Sequence, residues 1–90
     1  MYFVYILYAE SFDRYYVGHC EDVEIRLARH NNKAVPSTKP YVPWKLVYTE
    51  IFAERNLASN REKEIKKKKS RHYIEYLIKE GGGTGSHVPI

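Results

Sequence analysis

The sequence predicts an α+β domain in which a small three-stranded antiparallel sheet is flanked by about three helices in sandwich-like layers. Three observations carry this expectation. Two strand-forming stretches, 2–8 and 15–19, stand a short polar break apart near the start of the chain. A helical period replaces strand character from Asp22 onward. After a third strand-like stretch, apolar residues recur only at helical spacing. Ninety residues make one domain, and at this length roughly 60–65% of the unfolded chain's surface can be buried, enough for one modest core.

Residues 2–8, within "MYFVYILY", form an unbroken apolar and aromatic run, the pattern of a strand buried on both faces and therefore central. Polar "ESFDR" interrupts it and "YYVGH" resumes strand character, so the two read as an antiparallel hairpin joined by several residues. Gly18 is expected to end or bend the second strand. Asp22 can cap the first helix, Glu24 sits in its first turn, and Val23 and Leu27 repeat at helical spacing until "HNN" breaks the pattern. Residues 31–43, "NNKAVPSTKPYVP", carry three prolines and several polar side chains, which predicts an exposed loop. "WKLVYTEIF" alternates as a third strand. No Gly or Pro interrupts residues 54–69, where Leu57, Ala58, Arg61 and Ile65 share a face, so a second helix with a heavily charged surface is expected. Ser70 can cap a third, whose Tyr73, Ile74, Leu77 and Ile78 form an apolar face before Gly81 stops it. "GGGTGSHVPI", residues 81–90, has the composition of a disordered tail.

Fifteen Lys and Arg against eleven Asp and Glu leave a net charge of +4, which favours polyanions such as nucleic acid as partners. The single cysteine, Cys20, excludes an intrachain disulfide and a cysteine-based zinc site and suits a reducing compartment. The N-terminal apolar run is too short to span a bilayer, lacks a basic flank and holds three tyrosines, so neither a signal peptide nor a membrane helix is expected. A cytoplasmic protein with no membrane partner follows as the expectation.

In a strand, side chains two apart share a face, so Tyr5 lies with Phe3 and Leu7, while Tyr16 lies with Gly18. Hairpin pairing could bring Tyr5 and Tyr16 side by side. In the first helix Asp22, Arg26 and His30 follow a stride of four, which sets a cation and an imidazole on one face, away from Val23 and Leu27. Taken alone, these are a solvated helix face, and Glu62 is an i,i+4 partner of Lys66 contributing only about 0.2–0.5 kcal/mol. Tyr2, Tyr8, Tyr15 and Tyr48 read as packing in or around the sheet. The "KKKK" run, residues 66–69, fans around a helix axis, so about two of its side chains can follow one nucleic-acid backbone.

Taken together, the residues carry more. "FVY", residues 3–5, followed eleven positions later by "YVG", residues 16–18, resembles the paired motif of the GIY-YIG nuclease superfamily. Arg26 and His30 in "RLARHN", the loop ending "PWKLVY" and Glu62 in "NREKEIKKKKS" follow in the family's order. Across roughly residues 2–80 the chain is similar to small single-domain bacterial GIY-YIG proteins, akin to the N-terminal domain of excision-repair nucleases, which marks 1–80 as a nuclease domain. The resemblance implies the GIY-YIG endonuclease fold and metal-dependent hydrolysis of a phosphodiester. It assigns Tyr5 and Tyr16 to the cleft, makes Gly18 the motif residue that keeps backbone bulk low beside them, and matches Arg26 to the arginine that steadies the phosphate. Glu62 matches the metal-binding carboxylate, and His30 stands where relatives carry His or Tyr. Phe3 replaces the glycine of the superfamily's name, and His19 stands where some relatives carry a phosphate-contacting lysine. Lys66, Lys67 and Lys69 are expected on the nucleic-acid backbone.

The chemistry accounts for these residue types. A phosphodiester is protected by its own negative charge, so its hydrolysis needs a neutralising cation, an activated water and a stabilised leaving oxygen. Arg26 supplies a permanent cation able to grip two oxygens at once. One carboxylate, Glu62, is sufficient for Mg2+ or Mn2+ in principle, because magnesium commonly takes one or two carboxylates plus waters and substrate oxygens. For the base, two readings stay open. A free phenol is ionised only about one part in a thousand at pH 7, a cost of roughly 4 kcal/mol, whereas imidazole is already largely neutral. The resemblance favours Tyr16, the titration argument favours His30, and a Tyr16–His30 pair around the attacking water accommodates both. The expected function is a metal-dependent endonuclease acting on DNA, with RNA left open, structure-selective in repair or recombination and compatible with a protein partner that supplies specificity. Oligomeric state is not specified by the sequence. The alternative is a nucleic-acid-binding module on the same scaffold with little or no turnover; a protein-interaction adaptor has only the fold's permissiveness behind it.

Overall fold

The aromatic and β-branched run near the N-terminus forms β1 (Tyr2–Ala9), the middle strand of a three-stranded antiparallel sheet. In this computed structural model, which describes residues 1–81, β2 (Arg14–Cys20) pairs on one side of β1 and β3 (Lys45–Phe52) on the other, in the order β2-β1-β3. The hairpin turn is a single 3-10 turn, Glu10–Phe12, closed by Asp13 in the left-handed region (φ 53°), a conformation that Asp tolerates better than most residues. Tyr8 then donates from its hydroxyl to Asp13 Oδ1 at 2.7 Å, which ties the strand end to the turn.

Register decides what shares a face. Tyr5 stands opposite Gly18, Leu7 opposite Tyr16 and Val4 opposite His19. One face carries Val4, Ile6, Val17 and Tyr48 into a core with Ala58, Ile65 and Leu77. The other carries Tyr5, Leu7, Ala9 and Cys20 into a second core with Trp44, Val23 and Leu27. The sheet is thus buried on both sides, as its continuous apolar central strand requires.

The first of these faces is covered by α2 (Arg55–Lys68) and α3 (Arg71–Glu80), the second by α1 (Val23–Asn31) and the segment that follows it. Asp22 caps α1 by accepting from the Ile25 amide, and Ser70 caps α3 by accepting from the Tyr73 amide. The α3 helix ends at Gly81, where a Cβ would stand 2.5 Å from the Tyr48 ring.

Three expectations are corrected. Of the two outcomes expected at Gly18, an end or a bend, the end is ruled out: β2 runs on through it to Cys20. Leu57 is 46% exposed, because α2 buries only the narrow stripe of Ala58 and Ile65, and Leu57 lies about 100° around the axis from Ala58. The proline-rich segment is not wholly exposed: it holds a 3-10 turn, Lys39–Tyr41, and buries Thr38. It is fastened to α1 because Asn31 accepts from the Trp44 amide at 2.6 Å and donates to the Trp44 carbonyl at 2.9 Å, while the Trp44 indole donates to the Thr38 carbonyl at 3.0 Å. The expected tail lies, but for Gly81, outside the described residues.

Candidate active site

The two motif strands bring Tyr5 and Tyr16 together, with ring centroids 6.3 Å apart on the α1 side of the sheet. Gly18 explains how the pair fits: a Cβ there would stand 2.6 Å from the Tyr5 hydroxyl and 2.7 Å from its ring, so the Tyr5 ring lies directly over bare backbone. Tyr5 is 1% exposed and forms the floor, while Tyr16 is partly exposed on the edge strand.

His30 is fully buried behind the pair. Its Nε2 lies 2.9 Å from the Tyr5 hydroxyl and its Nδ1 lies 2.8 Å from Thr38 Oγ1. Thr38 gives its one hydroxyl hydrogen to the Val35 carbonyl at 3.3 Å, so it can only accept from His30. Nδ1 therefore carries the ring proton, and Nε2 accepts from Tyr5. Burial, reinforced by the Arg26 and Arg29 guanidinium groups, holds the His30 pKa below its ordinary value and keeps the ring neutral. Burial, with Tyr16 adding, pushes the Tyr5 phenol well above its usual range, against the pull of nearby Arg26. The hydrogen-bonded partner of His30 is thus Tyr5; Tyr16 meets it only as an edge-on ring at 5.0 Å. With both ring nitrogens engaged and no exposed surface, His30 has no lone pair for a water, which removes the direct Tyr16–His30 pairing expected around one.

Glu62 comes from α2, on the other side of the sheet, and reaches the free edge of β2. Its Oε1 accepts from His19 Nδ1 at 2.5 Å and its Oε2 from Lys66 Nζ at 2.5 Å. Burial would raise this carboxyl, but the two donors outweigh it and hold it below the usual carboxylate range. Lys66 extends across the edge, its ammonium 5.6 Å from the Tyr16 ring centroid, and so links Glu62 to the tyrosine pair. On the other flank, His19, Arg26, Arg29 and Arg55 line a hollow of about 380 Å³. Of the lysine run, Lys66 and Lys69 line a second hollow beside Tyr16, with Lys67 exposed and not part of it, while Lys68 lies over Tyr73.

A divalent ion fits this chemistry at one residue. Glu62 accepts from His19 on β2 and from Lys66 on α2; each of its oxygens uses one lone pair on a present donor and keeps a second. No cluster of three or more His, Cys, Asp or Glu suited to a metal occurs among the described residues, so protein ligation would rest on Glu62, with waters and substrate oxygens completing the shell.

Sequence reasoning did not single out Thr38, Arg29 or Arg55, and it did not foresee that His19 meets Glu62. His19 was legible only as a departure from a lysine position. Thr38 sat inside a stretch whose prolines spoke for a loop, and nothing in one-dimensional spacing ties it to His30.

Fold and site define a small α+β nuclease-type domain. Residues 1–74 match the GIY-YIG catalytic domain, and the chain belongs to the GIY-YIG family, one of nucleases that act on nucleic acid and generally use divalent metals. It is similar to a UPF0213 protein of Streptococcus pneumoniae serotype 4, 38% identical over 64 residues that cover 70% of this chain and 65% of that protein, just under two thirds of its length. A UPF0213 protein of Staphylococcus haemolyticus is 40% identical over 65 residues, 71% of this chain and 78% of that one. The solution NMR structure of the UPF0213 protein BH0048 from Bacillus halodurans superposes with a TM-score of 0.57 at 32% identity, covering 93% of this chain and 89% of that one.

Proposed function

We propose that the domain is a divalent-metal-dependent endonuclease that hydrolyses phosphodiester bonds in DNA, selecting its substrate by structure in repair or recombination. The observation that supports this reading is the convergence at one strand edge of the Tyr5–Tyr16 pair, Arg26 and the Glu62 carboxylate, joined across the edge by Lys66. Arg26 grips the non-bridging oxygens of the scissile phosphate, with Arg29 and Lys66 adding positive charge to either side. Tyr16, the exposed phenol of the pair, holds the attacking water and takes its proton while releasing its own to solvent. The water oxygen forms the new bond to phosphorus as the bridging P–O bond breaks, and the leaving oxygen is protonated from solvent. Tyr5, His30 and Thr38 are positioning residues: their hydrogen-bond chain fixes the floor against which Tyr16 packs. A divalent ion bound at Glu62 would neutralise charge developing on the leaving oxygen.

Incubating the protein with plasmid, flap and single-stranded DNA and with RNA, in Mg2+, Mn2+ or chelator, tests this reading; metal-dependent cleavage of DNA is expected, and none on any substrate counts against it. One observation favours a second reading, a binding module with little turnover: both Glu62 oxygens already accept from side chains of the same chain, so the carboxylate's charge is already answered by the Lys66 ammonium and only one lone pair per oxygen is left for a metal. Binding that persists in chelator without cleavage in any metal would select it.

A further inference from the structure

A hollow of about 460 Å³ is lined by Tyr16 and Lys66 of the site and, further round, by Phe12, Asp13, Arg14, Lys69 and Arg71. Charge around this hollow is unequally answered. Arg71 pairs with Asp13 and with Glu75. Arg14 lies over the Tyr41 ring at 4.2 Å and Lys69 lines the hollow, and neither makes an ion pair among the described residues. Lys69 holds a left-handed backbone conformation (φ 48°) as the cap of α2, one that Asn tolerates. Phe12 leaves half of its surface exposed at the hairpin tip and is braced edge-on by Tyr41 at 5.4 Å.

Cations without carboxylate partners beside a braced, exposed ring suit an anion that carries a flat apolar face, the chemistry of a nucleotide. The strand advances about 3.3 Å per residue, which sets Arg14 on the order of 7 Å along the edge from Tyr16. We propose that this hollow is the subsite for the nucleotide next to the scissile phosphate, with its own phosphate held by Arg14 and Lys69 and its base against Phe12. The assignment rests on the reading of the Tyr16 edge as a nuclease centre.

The test is fluorescence anisotropy with labelled oligonucleotides in chelator, alongside KM for cleavage in metal, for Phe12→Ala, Arg14→Gln and Lys69→Asn, the last keeping a residue that tolerates the left-handed backbone. Each is expected to raise Kd about five- to fifty-fold, with KM rising in step. Lys69→Asn lowers the logarithmic salt slope by about 1. An abasic substitution at one position beside the cut weakens wild type but not Phe12→Ala. Lys79→Ala, on exposed α3 surface, changes none of these. Unchanged Kd and salt slope in all three variants, with metal-dependent cleavage intact, overturns the subsite and leaves the nuclease centre standing. Wild type that neither binds nor cleaves any nucleic acid removes both.

Discussion

The tightest physical constraint on the site is the contact between Gly18 and Tyr5, and Gly18→Ala probes it. The added Cβ would stand 2.6 Å from the Tyr5 hydroxyl and 2.7 Å from the adjoining ring carbon, well inside van der Waals contact. Tyr5 cannot swing aside freely, being 1% exposed and bonded to His30 at 2.9 Å. Overpacking of this kind costs about 1–3 kcal/mol. Displacing the phenol also leaves a buried imidazole nitrogen unsatisfied, a further cost of about 1–3 kcal/mol. Replacing glycine inside a strand returns only about 0.5–1 kcal/mol. The net is a loss of roughly 2–4 kcal/mol, and at about 4–8 °C per kcal/mol for a domain of this size Tm falls by at least about 8 °C. Thermal unfolding by circular dichroism measures it. A double-mutant cycle isolates the cause: in a Tyr5→Leu background the ring is gone and the cost of Gly18→Ala drops below about 1 kcal/mol. A Tm within about 3 °C of wild type, or the same cost in both backgrounds, refutes the reasoning.

Thr38→Val removes the acceptor that fixes the His30 tautomer and leaves Nδ1–H unpaired in the core, at about 1–3 kcal/mol; 15N chemical shifts of the imidazole report a mixed tautomer, and Thr38→Ser restores the single one. Because burial and the neighbouring arginines lower the folded His30 pKa, the unfolded chain takes up the proton first. Its contribution to stability is therefore full above the unfolded value of about 6.5 and is lost as pH falls through the folded value, so the urea midpoint should decline between pH 7 and 5.5; a flat profile there contradicts the buried neutral ring. Ile65→Ala, at 1% exposure, is expected to cost about 2–5 kcal/mol in urea titration, whereas Leu57→Ala, at 46%, should cost less than about 1 kcal/mol.

The parts of this protein that local chemistry controls were readable in one dimension. The continuous apolar run of β1, the Asp22 and Ser70 caps and the Gly81 stop each leave a local signature, and each stands where that signature put it. What escaped depends on approach between distant segments. The loop carrying Thr38 has the composition of exposed chain, yet Asn31 and Trp44 fasten it down so that its hydroxyl meets an imidazole eight residues earlier. His19 looked like a lost lysine, and only the packing of α2 against β2 turns it toward Glu62 across 43 positions of sequence. Leu57 shows the opposite failure: helical period groups it with Ala58, but the buried stripe is narrower than the period alone implies.

That Glu62 and Arg26 serve one reaction at the β2 edge is tested most directly by single-turnover cleavage of a DNA substrate in saturating Mn2+, comparing wild type with Glu62→Gln and Arg26→Ala. Rates are expected to fall by about a hundredfold or more for each, the scale of losing one charge-stabilising group, while Tm stays within a few degrees of wild type. Cleavage by Glu62→Gln at the wild-type rate would contradict the assignment of the reaction to this edge.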